Sequence, residues 1–300
     1  MTWYIWAFLS IVVGSLETIT DKVIVIKHPE KIDVLSATFY RNLAFFIITA
    51  ILGLIGIFGK LSFVFNIPFL ILAILWPINS FSYDYLLRNV EASRFNGIFY
   101  IFPLIFIFID NIFFHTSYQV IQIIGVLFLV IGAILFSLNV SSKKSPITPW
   151  GWFWIIARII PNVYLLIVYK LYSASVNEVS FYFSIWALLI ALYIIFIIFT
   201  RKHKKLVETA TVDRFLLKTF LAKSFDSLCS IFYLEALAIA SLTAVTAFTS
   251  FSPLILLVIL LLMSLFTKIN TAEDFSRRTL ILKIIATVIL IVGGLCMFLW

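Results

Sequence analysis

Apolar runs of about twenty residues, each ended by a charge or a turn residue, recur along the whole 300-residue chain. As a helix, a run of that length matches the ~30 Å hydrocarbon thickness of a bilayer. The runs cover residues 2–25, 34–58, 66–87, 93–114, 119–140, 149–172, 179–200, 215–238, 241–266 and 280–300. None shows the strict apolar–polar alternation, over roughly nine to eleven residues, of a barrel strand. Helices satisfy their own backbone groups in lipid. The expected fold class is therefore an all-α membrane protein with ten transmembrane helices. Composition agrees: 63% of residues are hydrophobic and 12% charged, and mean hydropathy is +1.14, whereas a soluble domain carries about 25% charged residues.

A formal net charge of +8 would fit a nucleic-acid partner if the basic residues were clustered. Most of them instead lie in the short gaps between apolar runs, where they orient membrane proteins. The expected partners are the bilayer and a small solute, with no nucleic acid, in a monomer or homodimer. Cys229 and Cys296 both sit inside apolar runs, with no disulfide or metal spacing. The segment from Met1 to Phe8 has no basic stretch and no small-residue cleavage site follows it, so it reads as the start of a retained span.

The two halves resemble each other. At a shift of 148 residues Trp6 falls on Trp154, Lys22 on Lys170, Tyr85-Leu86 on Tyr233-Leu234 and Ala92-Ser93 on Ala240-Ser241. After a two-residue gap Pro103-Leu104-Ile105 falls on Pro253-Leu254-Ile255. The polar stretch Ser141 to Pro146 separates the halves, giving residues 1–142 and 143–300 as two five-helix units. Five spans per unit is odd, so the second unit would enter the membrane inverted, an arrangement characteristic of secondary transporters.

On these residues the chain resembles the drug/metabolite transporter superfamily, in its ten-span EamA-like group. The lysine closing the first span of each half carries the resemblance (Lys22, Lys170). So do the Ala-Ser starts followed by Pro-Leu, and the glycines of Ile131-Gly132-Ala133 and Val292-Gly293-Gly294. The resemblance implies an antiparallel two-half bundle around a central cavity and carriage of metabolites, often amino acids, across a bacterial inner membrane. Glu17 also resembles the membrane-embedded glutamate of small four-span multidrug transporters of that superfamily.

Charges deep inside apolar runs are costly enough to face a bundle interior. Glu17 lies past the middle of the first run, Arg158 near the middle of the sixth, and Lys223 and Asp226 near the middle of the eighth, on one helical face. Each has two readings. Lys223 and Asp226 can neutralise each other, and Glu17 can pair with Arg158 across the halves. Alternatively Arg158 holds an anionic group of a solute, Asp226 meets a cationic one, and Glu17 exchanges a proton. Arg41, Asp84, Arg88 and Asp110 sit nearer run ends and are expected at the interface, with Lys22 and Lys170 as anchors.

Polar and aromatic residues at helical spacing add cavity candidates: Trp76, Asn79 and Tyr83 on the third run, Asn96 and Tyr100 on the fourth, and Asn162 beside Pro161 on the sixth. Pro77, Pro103, Pro161 and Pro253 fall within runs and can free backbone carbonyls.

No Gly-x-Ser-x-Gly, His-Glu-x-x-His or phosphate-loop pattern occurs, so neither enzymatic chemistry nor a cofactor is expected. The function expected is secondary transport of a small polar or zwitterionic, amino-acid-like metabolite, ion-coupled or by exchange. A lipid or lipid-linked sugar flippase of the same fold, a membrane enzyme and a complex subunit are the rival readings. Lys and Arg concentrate in the odd-numbered connections, with only Lys60 and Lys170 in the even ones. Positive-inside reasoning puts the odd connections in the cytoplasm and both termini outside, whereas the family habit is termini inside.

Overall fold

The computed structural model describes residues 2–27, 33–89, 101–137, 149–200, 203–211, 215–266 and 277–298, and among these every regular element is a helix. In chain order they are α1 (Trp3–Lys27), α2 (Val34–Ile55), α3 (Ile67–Asn89), α4 (Phe102–Phe114), α5 (Val120–Ser137) and α6 (Pro149–Tyr172). Then come α7 (Glu178–Thr200), α8 (His203–Ala210), α9 (Phe215–Ile239), α10 (Leu242–Thr249), α11 (Ser252–Phe266) and α12 (Arg277–Phe298). Six stretches are long and apolar enough to cross a membrane, and α3, α4 and α5 supply shorter apolar helices. Among the described residues α9 is long enough but carries Lys218, Lys223, Asp226 and Glu235; its polarity is met by the protein rather than by lipid.

Most of the packing joins helices far apart in sequence: α1 with α9, α3 with α6, α2 with α7, α4 with α10, and α5 with α12. In the α1–α9 seam Trp6 stacks on Phe232 at 5.4 Å between ring centroids. In the α3–α6 seam Trp154 lies 5.9 Å from Tyr85. The two tryptophans that align at the 148-residue shift thus each pack against an aromatic ring, one in each seam. Between α2 and α7 the Phe45 and Trp186 rings stack at 4.5 Å.

The α5–α12 contact is closer than side chains allow. A Cβ on Gly125 would lie 2.6 Å from the Met297 nitrogen, and one on Gly293 2.7 Å from the Leu129 nitrogen. Two backbones touch here because both positions lack a side chain, which is how helices associate where lipid removes the hydrophobic drive between them.

One expected feature is corrected. The run at 241–266 is not one helix: it breaks at Ser250–Phe251, between α10 and α11. Pro253 has no N–H to continue the ladder, and Ser250, Phe251 and Leu254 make tight three-residue turns instead, donating to Ala247, Phe248 and Phe251 carbonyls. The polar stretch after Thr200 holds the short helix α8, fixed by Tyr40, whose hydroxyl donates to the Leu206 carbonyl at 3.1 Å.

Three charges expected at the membrane interface are corrected as well. Asp110 is fully buried and accepts from the Thr243 N–H at 2.8 Å, the Leu242 N–H at 3.3 Å and the Tyr118 hydroxyl at 2.6 Å. It caps the start of α10 from another helix, where unpaired N–H groups and the helix dipole favour an anion. Lys170 donates to the Leu237 and Ala240 carbonyls at 2.6 and 2.8 Å, closing the end of α9. Arg41 is buried and faces the interior. Lys22, Asp84 and Arg88 lie outside the residues whose side chains are described.

The same end of the bundle is tied again where residues 61–66 lie along α7. Ser62 and Val64 N–H groups donate to the Ser180 and Ser184 hydroxyls, both at 2.9 Å, and Asn177 donates to the Lys60 carbonyl at 2.9 Å. The α2–α3, α4–α5, α6–α7 and α9–α10 connections therefore form one hydrogen-bonded cap.

Two substitutions test these contacts. Gly293→Leu forces a side chain into the α5 backbone and should destabilise by about 1–3 kcal/mol. Asp110→Ala leaves buried N–H groups without an acceptor and should cost about 1–3 kcal/mol, with Asp110→Asn partly restoring it. Both are read as a lowered thermal midpoint of the purified protein; a wild-type midpoint in either case would contradict the corresponding contact.

Candidate functional site

A cavity of about 470 Å³ opens among α1, α2, α3, α6, α7 and α9, with the α10–α11 break at its edge. Helical periodicity explains how it comes to be polar inside apolar helices. On α3, Trp76, Asn79 and Tyr83 share one face; on α6, Arg158 and Asn162 do; on α9, Lys223, Asp226 and Ser230 do. Glu17 enters from α1, one turn past Gly14. A side chain on Gly14 would meet the Cys229 sulfur at 2.8 Å, so this glycine lets α1 approach α9 closely enough for their charges to meet.

The charges are arranged in two groups. The Lys223 ammonium lies 2.7 Å from Asp226 Oδ2 and 3.1 Å from Glu17 Oε1, with only 9% of its side chain exposed. It thus bridges a carboxylate on its own helix and one on α1. Each hydrogen bond involves charged partners, the strong kind in a poorly hydrated site. On the α3–α6 side the Arg158 guanidinium sits 4.5 Å from the centre of the Tyr83 ring and Arg41 sits 5.8 Å from it. Two cations thus lie beside one aromatic ring. Asn162 donates to the Asn79 side-chain oxygen at 2.9 Å and to the Arg158 carbonyl at 2.8 Å, tying α3 to α6 beside Pro161.

Of the residues singled out from the sequence, Glu17, Trp76, Asn79, Tyr83, Arg158, Asn162 and Asp226 all line this one cavity. Asn96 and Tyr100 lie outside the described residues. Of the pairings the sequence left open, the structure shows Lys223 with Asp226, and Glu17 joins that pair. The α2 contribution was passed over. Thr38, Arg41 and Asn42 line the cavity, and their three- and four-residue spacing inside an apolar run was a readable signal. Tyr182 and Trp186 on α7 were hidden by the abundance of aromatic residues.

Comparison with known proteins places this architecture. Residues 1–138 match the model of the EamA-like transporter family. No curated protein matches the chain. A solved structure described as "Crystal structure of protein" superposes with a TM-score of 0.70, covering 99% of this chain and 97% of that one at 12% identity. At that identity the likeness bears on the fold alone. Residues 1–138 are thus similar to the EamA-like transporter family, and the chain has apolar helices long enough to cross a bilayer.

Proposed function

We propose that the protein is a multi-pass secondary transporter of the cell (inner) membrane. It carries a small polar metabolite of amino-acid size whose anionic group binds at Arg158. The observation that carries this reading is the convergence of Glu17, Arg41, Arg158, Lys223 and Asp226 on a single cavity. Placing that many charges in lipid is strongly unfavourable, whereas a shared, partly hydrated cavity removes most of the penalty and provides a binding site.

The ten spans form two inverted units, 1–142 and 143–300. Support comes from the packing: α1 against α9 in one seam and α6 against α3 in the other exchange the roles of the two halves, and α2–α7 and α5–α12 join counterparts. The α10–α11 break at the cavity edge is the kind of discontinuous helix that transporters use to present backbone groups to a solute. Arg158 supplies a planar donor fork for the anionic group, the Asn79–Asn162 pair orients it, and Glu17 exchanges a proton during the cycle.

Counterflow in proteoliposomes, screened with amino acids and related organic acids, tests the carrier reading; no flux above protein-free vesicles for any of them would sink it. Arg158→Ala should weaken solute binding at least about tenfold, the loss of a charged hydrogen-bond donor. Glu17→Gln should leave exchange largely intact and flatten its pH profile; an unchanged profile removes Glu17 from the coupling role.

The odd-numbered connections, which hold most of the Lys and Arg, are placed in the cytoplasm. Lys204 is exposed on α8, so a cysteine at that position should resist an impermeant thiol reagent in intact cells, and ready labelling would reverse the orientation.

A further inference from the structure

Two amides in the cavity are locked into one orientation by their own hydrogen bonds. The Arg158 main-chain oxygen can only accept, so the Asn162 atom 2.8 Å from it is the nitrogen. The same nitrogen gives its second hydrogen to the Asn79 side-chain oxygen at 2.9 Å. Each amide therefore has one atom engaged and one left over. The leftovers are the Asn79 nitrogen, with two N–H donors, and the Asn162 oxygen, an acceptor.

Among the described residues no acceptor meets that nitrogen and no donor meets that oxygen. Neither atom is sealed inside the protein, and both side chains line the cavity, with Asn79 only 7% exposed. The pair is one hydrogen bond long and is held between two packed helices, α3 and α6. A donor and an acceptor thus stand close together in a fixed arrangement, and they cost free energy until something pairs with them.

The two signs decide which solute group can do so. A carboxylate has only acceptors and would set oxygen against the Asn162 oxygen. An ammonium has only donors and leaves the Asn79 N–H groups unmet. An ester has the acceptor and no donor. A carboxamide, or the same edge on a lactam ring, offers a carbonyl to Asn79 and an N–H to Asn162.

We infer that the Asn79–Asn162 pair is a recognition site for an amide edge, and that the carried metabolite bears one, as a carboxamide or a lactam. The inference rests on the solute-carrier reading and narrows its substrate class. The pair does more than orient an anionic group: Asn79 donates to the amide oxygen of the solute, and Asn162 accepts from its N–H.

Glutamine, glutamate γ-methyl ester and glutamate test this directly, because they share one skeleton and differ at the terminal group. Uracil adds the same edge on a ring, and whichever of glutamine and uracil binds more tightly names the source of the amide. Binding is read by thermal stabilisation of the purified protein, and transport by trans-stimulated efflux from proteoliposomes. The wild type should bind glutamine or uracil at least about tenfold more tightly than the ester and glutamate, since each of these strands the Asn162 acceptor. Asn162→Leu removes that acceptor and should close the gap between glutamine and the ester, whereas Asn79→Leu should weaken both alike. Should Asn162→Leu fold poorly, the wild-type ranking decides by itself. A wild type that takes the ester or glutamate as well as either amide overturns the inference and leaves the carrier reading intact. So does a ranking unchanged in folded Asn162→Leu, which would confine the pair to tying α3 to α6. If no probe binds or moves while another solute shows counterflow, the inference alone falls; if no solute shows counterflow, both fall.

Discussion

Lipid offers no hydrogen bonds, so a charge inside this bundle needs a partner in the protein or in the water of a cavity. That constraint explains the placement of each deep charge. Asp110 is tolerated because three donors converge on it, two of them N–H groups at the start of α10. Lys170 is tolerated because it closes the carbonyls at the end of α9. Lys223 is tolerated because it bridges Glu17 and Asp226. The first two repair a chain interruption, and the third sits in a cavity. A charge that mends the backbone holds architecture, whereas a charge bridging helices beside open space is available to a solute.

The two halves meet through exchanged seams rather than side by side. The α1–α9 and α3–α6 seams each carry one of the repeat-aligned tryptophans, Trp6 and Trp154, against an aromatic partner from the other half. Each seam then delivers charge to the same space: Glu17 with Lys223 and Asp226 from one, Arg158 beside Tyr83 from the other. Among the described residues one seam thus presents carboxylates around a lysine, and the other a guanidinium beside a tyrosine. This asymmetry separates a binding site from a symmetric scaffold. Meanwhile the cap around Ser62, Asn177, Lys170 and Asp110 closes one end of the bundle. The cavity charges Arg41, Arg158 and Lys223 lie instead in the first halves of α2, α6 and α9, away from it.

The apolar runs and the deep charges were legible in the sequence because both follow from a single rule, the cost of polarity in hydrocarbon. Glu17, Arg158 and Asp226 stand out in runs of Ile, Leu and Phe, and the structure brings them to one cavity. What stayed illegible depended on three-dimensional proximity. Asp110 looked like an interface residue by its distance from a run end; its true partners lie 132 and 133 residues away on α10. Lys170 looked like a snorkelling anchor for the same reason. The α10–α11 break was signalled by Pro253, but a proline in a membrane helix is also compatible with a simple kink, and only the tight turns at Ser250–Phe251 decide between the two. Arg41 was legible in principle, since Thr38 and Asn42 share its face, but its position near a run end outweighed that pattern.

The central claim is that these charges surround one water-accessible cavity rather than a dry set of ion pairs. Cys229 provides a native reporter: it lines the cavity, with its sulfur 3.4 Å from the Ser10 hydroxyl and beside Gly14. With Cys296 replaced by Ser, the rate at which a small charged methanethiosulfonate modifies Cys229 in the folded protein measures access directly. A hydrated cavity predicts modification of the folded protein that slows when a transported solute is present. Cys229 that stays unmodified until the protein is unfolded would contradict it.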